Sequence, residues 1–175
     1  QNQVAQIVTY GTMAAKSSIK DVARVLDLDL SISNYLTKLV PDKPGIKLKR
    51  VLTAPLTIKE APKNGIKSLE EKEDLRSEDM DNIRKIREIY NFTGTDTSTL
   101  LQQKVLQLAE KLEGSVRGTG IHAAGIIIAP TDLTELIPVC IAKDSPLWVT
   151  QFEGNIIESA GVIKMDFLGL KNLTI

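Results

Sequence analysis

The period of the apolar positions changes twice along this chain. Residues 4–10 alternate weakly and are β-branched enough for a short strand, which Gly11 ends. From Thr12 the period becomes helical: Ile19, Val22, Ala23 and Leu26 recur at the i, i+3, i+4, i+7 spacing of one buried stripe. A second helix is predicted over residues 32–40, with Ser31 as its N-cap and Pro41 as its stop. The stretch 41–77 holds Pro44, Gly45, Pro55, Pro62 and Gly65 among charged residues and reads as loops, with at most a short helix near residues 46–52. Helical pattern resumes over residues 78–90 through Met80, Ile83, Ile86 and Tyr90, and Gly94 breaks it. A further helix is predicted over residues 98–112, capped near Asp96 or Thr97, with Leu101, Val105, Leu108 and Leu112 facing inward. Gly114 ends it.

Beyond Gly114 the period returns to that of strands. Ile126, Ile127 and Ile128 form one apolar run closed by Pro130, and Trp148 to Phe152 form another. A short helical segment, GNIIESAG, then leads into a last strand, Val162-Ile163-Lys164-Met165-Asp166-Phe167-Leu168-Gly169-Leu170. The order is strand, helical block, sheet, which is the signature of a helical insertion in one β-rich layer. The fold class expected is therefore α+β with a mixed sheet in the C-terminal part. Its segments are 1–11, a helical 12–115 with a loop-rich middle at 41–77, and 116–175.

The last strand carries the most informative chemistry. With a period of two, Val162, Lys164, Asp166 and Leu168 point to one face, and Ile163, Met165 and Phe167 to the other. The apolar face is expected to pack and the charged face to stay open, with Gly169 making the turn that follows. An ionisable pair on such a strand has two readings. One is an ion pair at a sheet edge that discourages edge pairing. The other is a catalytic carboxylate for a divalent metal, with a lysine two residues earlier for an anionic substrate. Spacing does not choose between them.

Three other groups bear on chemistry. Lys16, Lys20 and Arg24 fall at successive i+4 steps, a row about 12 Å long at ~1.5 Å rise per residue, partly offset by Asp21. By itself this is an ordinary exposed helix face. The segment Arg117-Gly118-Thr119-Gly120-Ile121-His122-Ala123-Ala124-Gly125 is dense enough in glycine for backbone N–H groups to approach a phosphate or sugar, but follows no fixed nucleotide-binding order. Its His122 reads first as a hydrogen-bonded histidine at the start of a strand, ahead of a direct substrate contact, and no Ser or Cys stands in a motif with it. Asp27 and Asp29 imitate a metal-holding Asp-x-Asp pair. They follow directly on a helix, however, where carboxylates end one helix and cap the next, and turn and capping duty is assigned to them.

Composition narrows the classes. At 175 residues and 42% hydrophobic, the chain can bury one core or two small ones. The single cysteine, Cys140, excludes an internal disulfide framework and a cysteine-based zinc site, fits a reducing compartment, and is expected as a small buried hydrophobe. No apolar run approaches the ~20 residues that span a bilayer, and no signal peptide is recognisable. The formal net charge of +0 hides a basic stretch (Lys43, Lys47, Lys49, Arg50, Lys59, Lys63, Lys67) beside an acidic one (Glu70, Glu71, Glu73, Asp74, Glu78, Asp79, Asp81). These are read first as solvated surfaces that partly neutralise each other. The chain opens on Gln1 without a Met and stops at Ile175 within an apolar stretch, and so reads as a piece of a longer protein.

Three strings, VAQIVTYGTMAAKSSIKDVARVL, GSVRGTGIHAAGIIIAPTDLTELIP and VIKMDFLGLKNLTI, resemble segments of bacterial replicative DNA polymerase III alpha subunits, and they occur in that family's order. The resemblance is close over about residues 3–30 and 100–175 and poor between. It implies that both flanks are pieces of the polymerase palm and that the helical block is the thumb. Asp166 would then be the third active-site aspartate, near the metals, and Lys164 would face the incoming nucleotide or the primer end. The family's paired aspartates lie on a palm strand upstream of Gln1, so this chain alone is expected to be inactive. The resemblance further implies two Mg2+ ions in the intact polymerase, primer–template DNA and dNTPs as partners, association with the rest of the subunit and the replicative holoenzyme, and a cytoplasmic location. It turns the row Lys16, Lys20 and Arg24 towards phosphate contact and brings Arg117 and His122 in as nucleic-acid-binding candidates. The competing class is a non-catalytic helical DNA-binding or protein-interaction module in which Lys164 and Asp166 are structural.

Overall fold

The computed structural model describes residues 2–60, 67–73, 75–142 and 145–167. Expectations for Pro62, Lys63, Gly65, Asp74, Leu168, Gly169 and Leu170 lie outside the described residues. The chain divides into two compact units, Gln1–Gly11 with Val116–Ile175, and Thr12–Ser115.

The first unit is built on a five-stranded mixed sheet. Its strands are β1 (Val4–Thr12), β2 (Val116–Ile128), β3 (Val139–Ile141), β4 (Trp148–Glu153) and β5 (Ile163–Asp166), in the order β3-β4-β1-β2-β5. β1 runs parallel to β4, while β3 is antiparallel to β4 and β5 antiparallel to β2. The β1–β4 register slips between Gln6 and Val8. The buried Thr150 hydroxyl fills the gap, accepting from the Val8 N–H at 3.3 Å and donating to the Phe152 carbonyl at 2.9 Å. This satisfies a buried donor that the slip would otherwise orphan. Ala5, Ile7, Ile127, Ala129, Leu133, Ile137, Ile157 and Val162 make the core of this unit.

Two expectations for the sheet are corrected. β2 is thirteen residues long, so His122 lies inside a strand and not at its start. Gly118, Gly120 and Gly125 depress the strand signal of this segment, yet a glycine in a strand suits places where another chain segment comes close. A Cβ on Gly120 would stand 2.9 Å from Thr9 Oγ1. Cys140, expected inside, is exposed. It sits in the three-residue edge strand β3, where its neighbour Val139 takes the position packed against the core.

The second unit is helical: α1 (Ala15–Val25), α2 (Leu30–Lys38), α3 (Leu48–Thr53), α4 (Leu69–Glu73), α5 (Ser77–Tyr90) and α6 (Thr97–Leu112), with a 3-10 turn at Ile58–Glu60. The apolar stripes meet in one core that includes Ile19, Val22, Leu36, Leu48, Val51, Ile83, Ile86, Val105 and Leu106. Leu112, expected to face inward, is exposed, because the buried stripe of α6 runs through Val105, Leu106 and Ala109. Asp29, not Ser31, caps α2: its carboxylate accepts from the Ser31 N–H at 2.7 Å and the Ser31 hydroxyl at 2.5 Å. Asp96 caps α6 in the same way through Thr99. Asp27 holds the left-handed turn between α1 and α2 at φ 54°. Both residues of the Asp-x-Asp imitation thus have the turn and cap duty expected of them.

The two charged stretches neutralise each other within this unit. Arg50 pairs with Glu73 at 3.6 Å and Lys67 with Glu71 at 3.5 Å. Arg87, half-buried on α5, donates to the Val51 carbonyl at 2.7 Å and the Ala54 carbonyl at 2.5 Å, tying down the C-terminal end of α3.

Candidate active site

Antiparallel partners that sit directly opposite each other share a face. Ile127 opposes Lys164, and Gly125 opposes Asp166. Lys164 and Asp166 therefore stand on the same face as the buried Ile127, at the edge of the sheet. Their side chains meet, with Lys164 Nζ 3.4 Å from Asp166 Oδ2, and are 23% and 55% exposed respectively. The lysine stem lies on the core side while its ammonium reaches out to the carboxylate, the usual compromise for a long cationic side chain.

The expected packing of the strand is reversed. Ile163 and Phe167 are 69% and 60% exposed and Met165 is also exposed, whereas Val162, on the Lys164 side, is buried. The reason is where the core of this unit collects. Ile7, Ile127, Ile157 and Val162 gather on the face that carries the charged pair, leaving the apolar face of β5 to solvent among the described residues. Asp166 itself remains accessible after this correction.

Two glycines lie at this face, and one of them makes room there. A Cβ on Gly154, the first residue of α7 (Gly154–Ile157), would lie 3.8 Å from Lys164 Nζ and 3.7 Å from Ile7 Cγ2. A Cβ on Gly125 would lie 2.8 Å from His122 Nδ1 and 2.8 Å from Ile7 Cδ1. The His122 imidazole thus occupies the space over Gly125, on the Asp166 face. Its Nδ1 accepts from the Gly125 N–H at 2.7 Å and the Ala124 N–H at 3.3 Å. Sequence reasoning singled out His122 and the glycine-dense segment that ends at Gly125, for backbone approach to a phosphate, but not Gly154. At Gly125 the glycine instead marks the close approach of a ring and of a neighbouring strand.

Among the described residues no three metal-capable side chains cluster. Asp166 is an acceptor-only carboxylate with its side chain 55% exposed, so it fits as one ligand of a divalent ion.

Lys16, Lys20 and Arg24 lie on α1 in the helical unit. Lys16 pairs with Asp42 at 3.1 Å and Arg24 with Asp21 at 3.4 Å. Lys20 and Arg24 line a cavity of about 340 Å³ together with Ala23, Asp27, Leu28, Leu30 and Ser33. Arg117 is exposed at the start of β2.

The sheet thus presents a lysine–aspartate pair at its edge, with the His122 ring over Gly125 on the same face. The family model described as bacterial DNA polymerase III alpha NTPase domain matches residues 1–169. The chain belongs to the bacterial DNA polymerase III alpha family. It is 39% identical over 174 residues to the DNA polymerase III subunit alpha of Chlamydia trachomatis, an alignment covering 99% of this chain and 11% of that protein. Identity is 36% to the Pseudomonas aeruginosa subunit, over 100% of this chain and 12% of that protein. It is 38% to the Aquifex aeolicus subunit, over 99% of this chain and 14% of that protein. The chain spans 11–14% of the length of these relatives.

Proposed function

We propose that this chain is part of the catalytic subunit of a bacterial replicative DNA polymerase. In the intact protein it would serve template-directed transfer of a nucleotide from a dNTP to a primer 3′ hydroxyl. Residues 1–11 and 116–175 are palm segments and residues 12–115 a thumb that grips the primer–template duplex. The observation that carries this reading is the Lys164–Asp166 pair on one accessible face of β5, in a chain of this family. A structural edge pair would look the same in geometry, so the two readings part on activity.

Asp166 is the residue of this chain that would hold a divalent ion. When bound, magnesium supplies charge neutralisation of phosphate oxygens and a more acidic primer hydroxyl. Lys164 places a fixed positive charge where the triphosphate carries negative charge, and its bond to Asp166 orients the carboxylate before substrate arrives. Asp27 and Asp29 take no part. With one carboxylate of the set, the isolated chain is inactive. Lys20 and Arg24, with Lys16 and Arg117, contact DNA phosphates. The remainder of the subunit and the cytoplasmic replicative holoenzyme are the partners. Among the described residues no helix is long and apolar enough to cross a membrane.

In the full-length subunit, Asp166→Asn is expected to leave folding and duplex binding intact while lowering primer extension by several orders of magnitude. Extension within about tenfold of wild type would make Asp166 structural and favour the non-catalytic module.

A further inference from the structure

The imidazole of His122 lies on the same face as Asp166, because it fills the place of a Gly125 side chain and Gly125 is the cross-strand partner of Asp166. Side chains at directly opposed positions stand about 4.5–5.5 Å apart at Cβ, so the ring and the carboxylate are neighbours. One nitrogen of the ring is also committed. Nδ1 accepts two backbone N–H groups, at 2.7 Å from Gly125 and 3.3 Å from Ala124, and an accepting ring nitrogen carries no proton. The proton of the neutral ring is therefore on Nε2, which is left as a donor. Lys164 Nζ stands 3.4 Å from the same carboxylate. The face of Asp166 therefore carries an ammonium and a ring N–H, both donors that suit phosphate oxygens.

We infer that His122 donates a hydrogen bond from Nε2 to a phosphate oxygen of the incoming nucleotide. In this role His122 is a substrate-binding residue and transfers no proton. The backbone bonds to Nδ1 set the tautomer, and the bare Gly125 lets the ring lie there. The inference rests on the proposed role of Asp166 as part of the nucleotide site.

The two nitrogens can be tested apart in the full-length subunit. His122→Asn keeps an acceptor near Nδ1 but loses the reach of Nε2. His122→Gln keeps a donor near Nε2 but loses the acceptor for the Gly125 N–H. Two readouts apply: dissociation of the templated dNTP from a complex with a dideoxy-terminated primer, and kcat/KM for single-nucleotide incorporation.

His122→Asn is expected to weaken dNTP binding and lower kcat/KM roughly 10- to 100-fold, the range for one hydrogen bond to a charged oxygen. Its melting temperature and primer–template Kd should stay at wild-type values. His122→Gln should recover part of the dNTP affinity while melting lower. Wild-type dNTP binding in His122→Asn would overturn the inference, as would losses in both variants that track melting temperature. A loss confined to primer–template affinity would overturn it too, by moving the contact to DNA. Asp166→Asn run in parallel separates the failures. If that variant is inactive and His122→Asn is normal, only the inference falls. If both are normal, the reading of the site falls with it.

Discussion

Replacing Gly125 by alanine sets a small gain against a larger loss. Gly125 is not in the left-handed region, so an alanine there would ordinarily stabilise by ~0.4–1 kcal/mol through the unfolded chain. The new methyl would, however, sit 2.8 Å from both His122 Nδ1 and Ile7 Cδ1. Ile7 is fully buried and can yield little. The ring must then swing away, giving up its bonds to the Gly125 and Ala124 N–H groups. Overpacking of this kind costs ~1–3 kcal/mol, and a lost hydrogen bond adds ~0.5–1.5 kcal/mol. The net expectation is a destabilisation of about 2 kcal/mol. Gly118→Ala is the matched control, since nothing lies within 4 Å of a Cβ there and its φ is ordinary; it should be neutral or slightly stabilising. The assay is urea unfolding followed by Trp148 fluorescence, because the chain has one tryptophan and it lies in β4 of the same unit. The reasoning is refuted if Gly125→Ala unfolds at the same urea midpoint as Gly118→Ala, or a higher one.

The remaining predictions concern the helical unit. Arg87→Ala should cost about 2–3 kcal/mol in chemical unfolding read by helix content, because the Val51 and Ala54 carbonyls lose their donor. Arg87→Lys should recover less than half of this, since an ammonium cannot match the guanidinium fork; equal stability of all three forms would count against it. Asp96 is held below the usual carboxylate range by the Thr99 hydroxyl, with the Thr99 N–H second. Its cap therefore contributes fully above the ordinary Asp pKa and is lost as pH falls through the depressed one. Asp96→Ala should accordingly lower the melting temperature at neutral pH, and the difference from wild type should shrink as pH falls below the ordinary Asp pKa. For DNA, Lys20 and Arg24 line the same cavity beside Lys16 on α1, and they are the cations tested first. Each Ala substitution there should reduce the log–log salt slope of duplex binding by about 0.9, without regard to sequence, and an unchanged slope would assign this surface to another role.

How much was legible in the sequence varies with how locally each feature is encoded. The helices of 12–115 were legible because Ile19, Val22 and Ala23, or Ile83 and Ile86, repeat at a period that only a helix uses. Their caps were half legible. Asp96 was named, but at α2 the choice fell on Ser31, which turns out to donate to the true cap, Asp29. β2 was under-read because its first ten residues contain three glycines, and the reason for two of them, the close approach of Thr9 to Gly120 and of Ile7 and His122 to Gly125, comes from distant or folded-back parts of the chain. In β5 the period-two split of side chains was correct and the inside was misassigned. Alternation defines two faces, but which face is buried depends on where Ile7, Ile157 and Val162 collect. Hydrophobicity pointed to Ile163, Met165 and Phe167, which this unit leaves exposed.

The misassigned face clarifies why the charged pair is where it is. Had Lys164 and Asp166 stood on a fully open face, they would have been two solvated side chains with weak mutual preference. Instead the lysine stem is packed on the core side and its amine emerges beside Gly154 to meet Asp166 at 3.4 Å. On the neighbouring strand the missing side chain of Gly125 admits the His122 ring, which its own backbone then fixes at Nδ1. Positioned donors around an open carboxylate need little rearrangement when an anionic ligand arrives, and that preorganisation is what an electrostatic site requires. Of the two glycines beside the pair, only Gly125 is required by its surroundings, since a Cβ there would stand 2.8 Å from the His122 ring and from Ile7, whereas one on Gly154 would make ordinary contacts. The bare position at Gly125 therefore fixes where the ring lies, and the choice between an edge pair and a substrate site rests with activity.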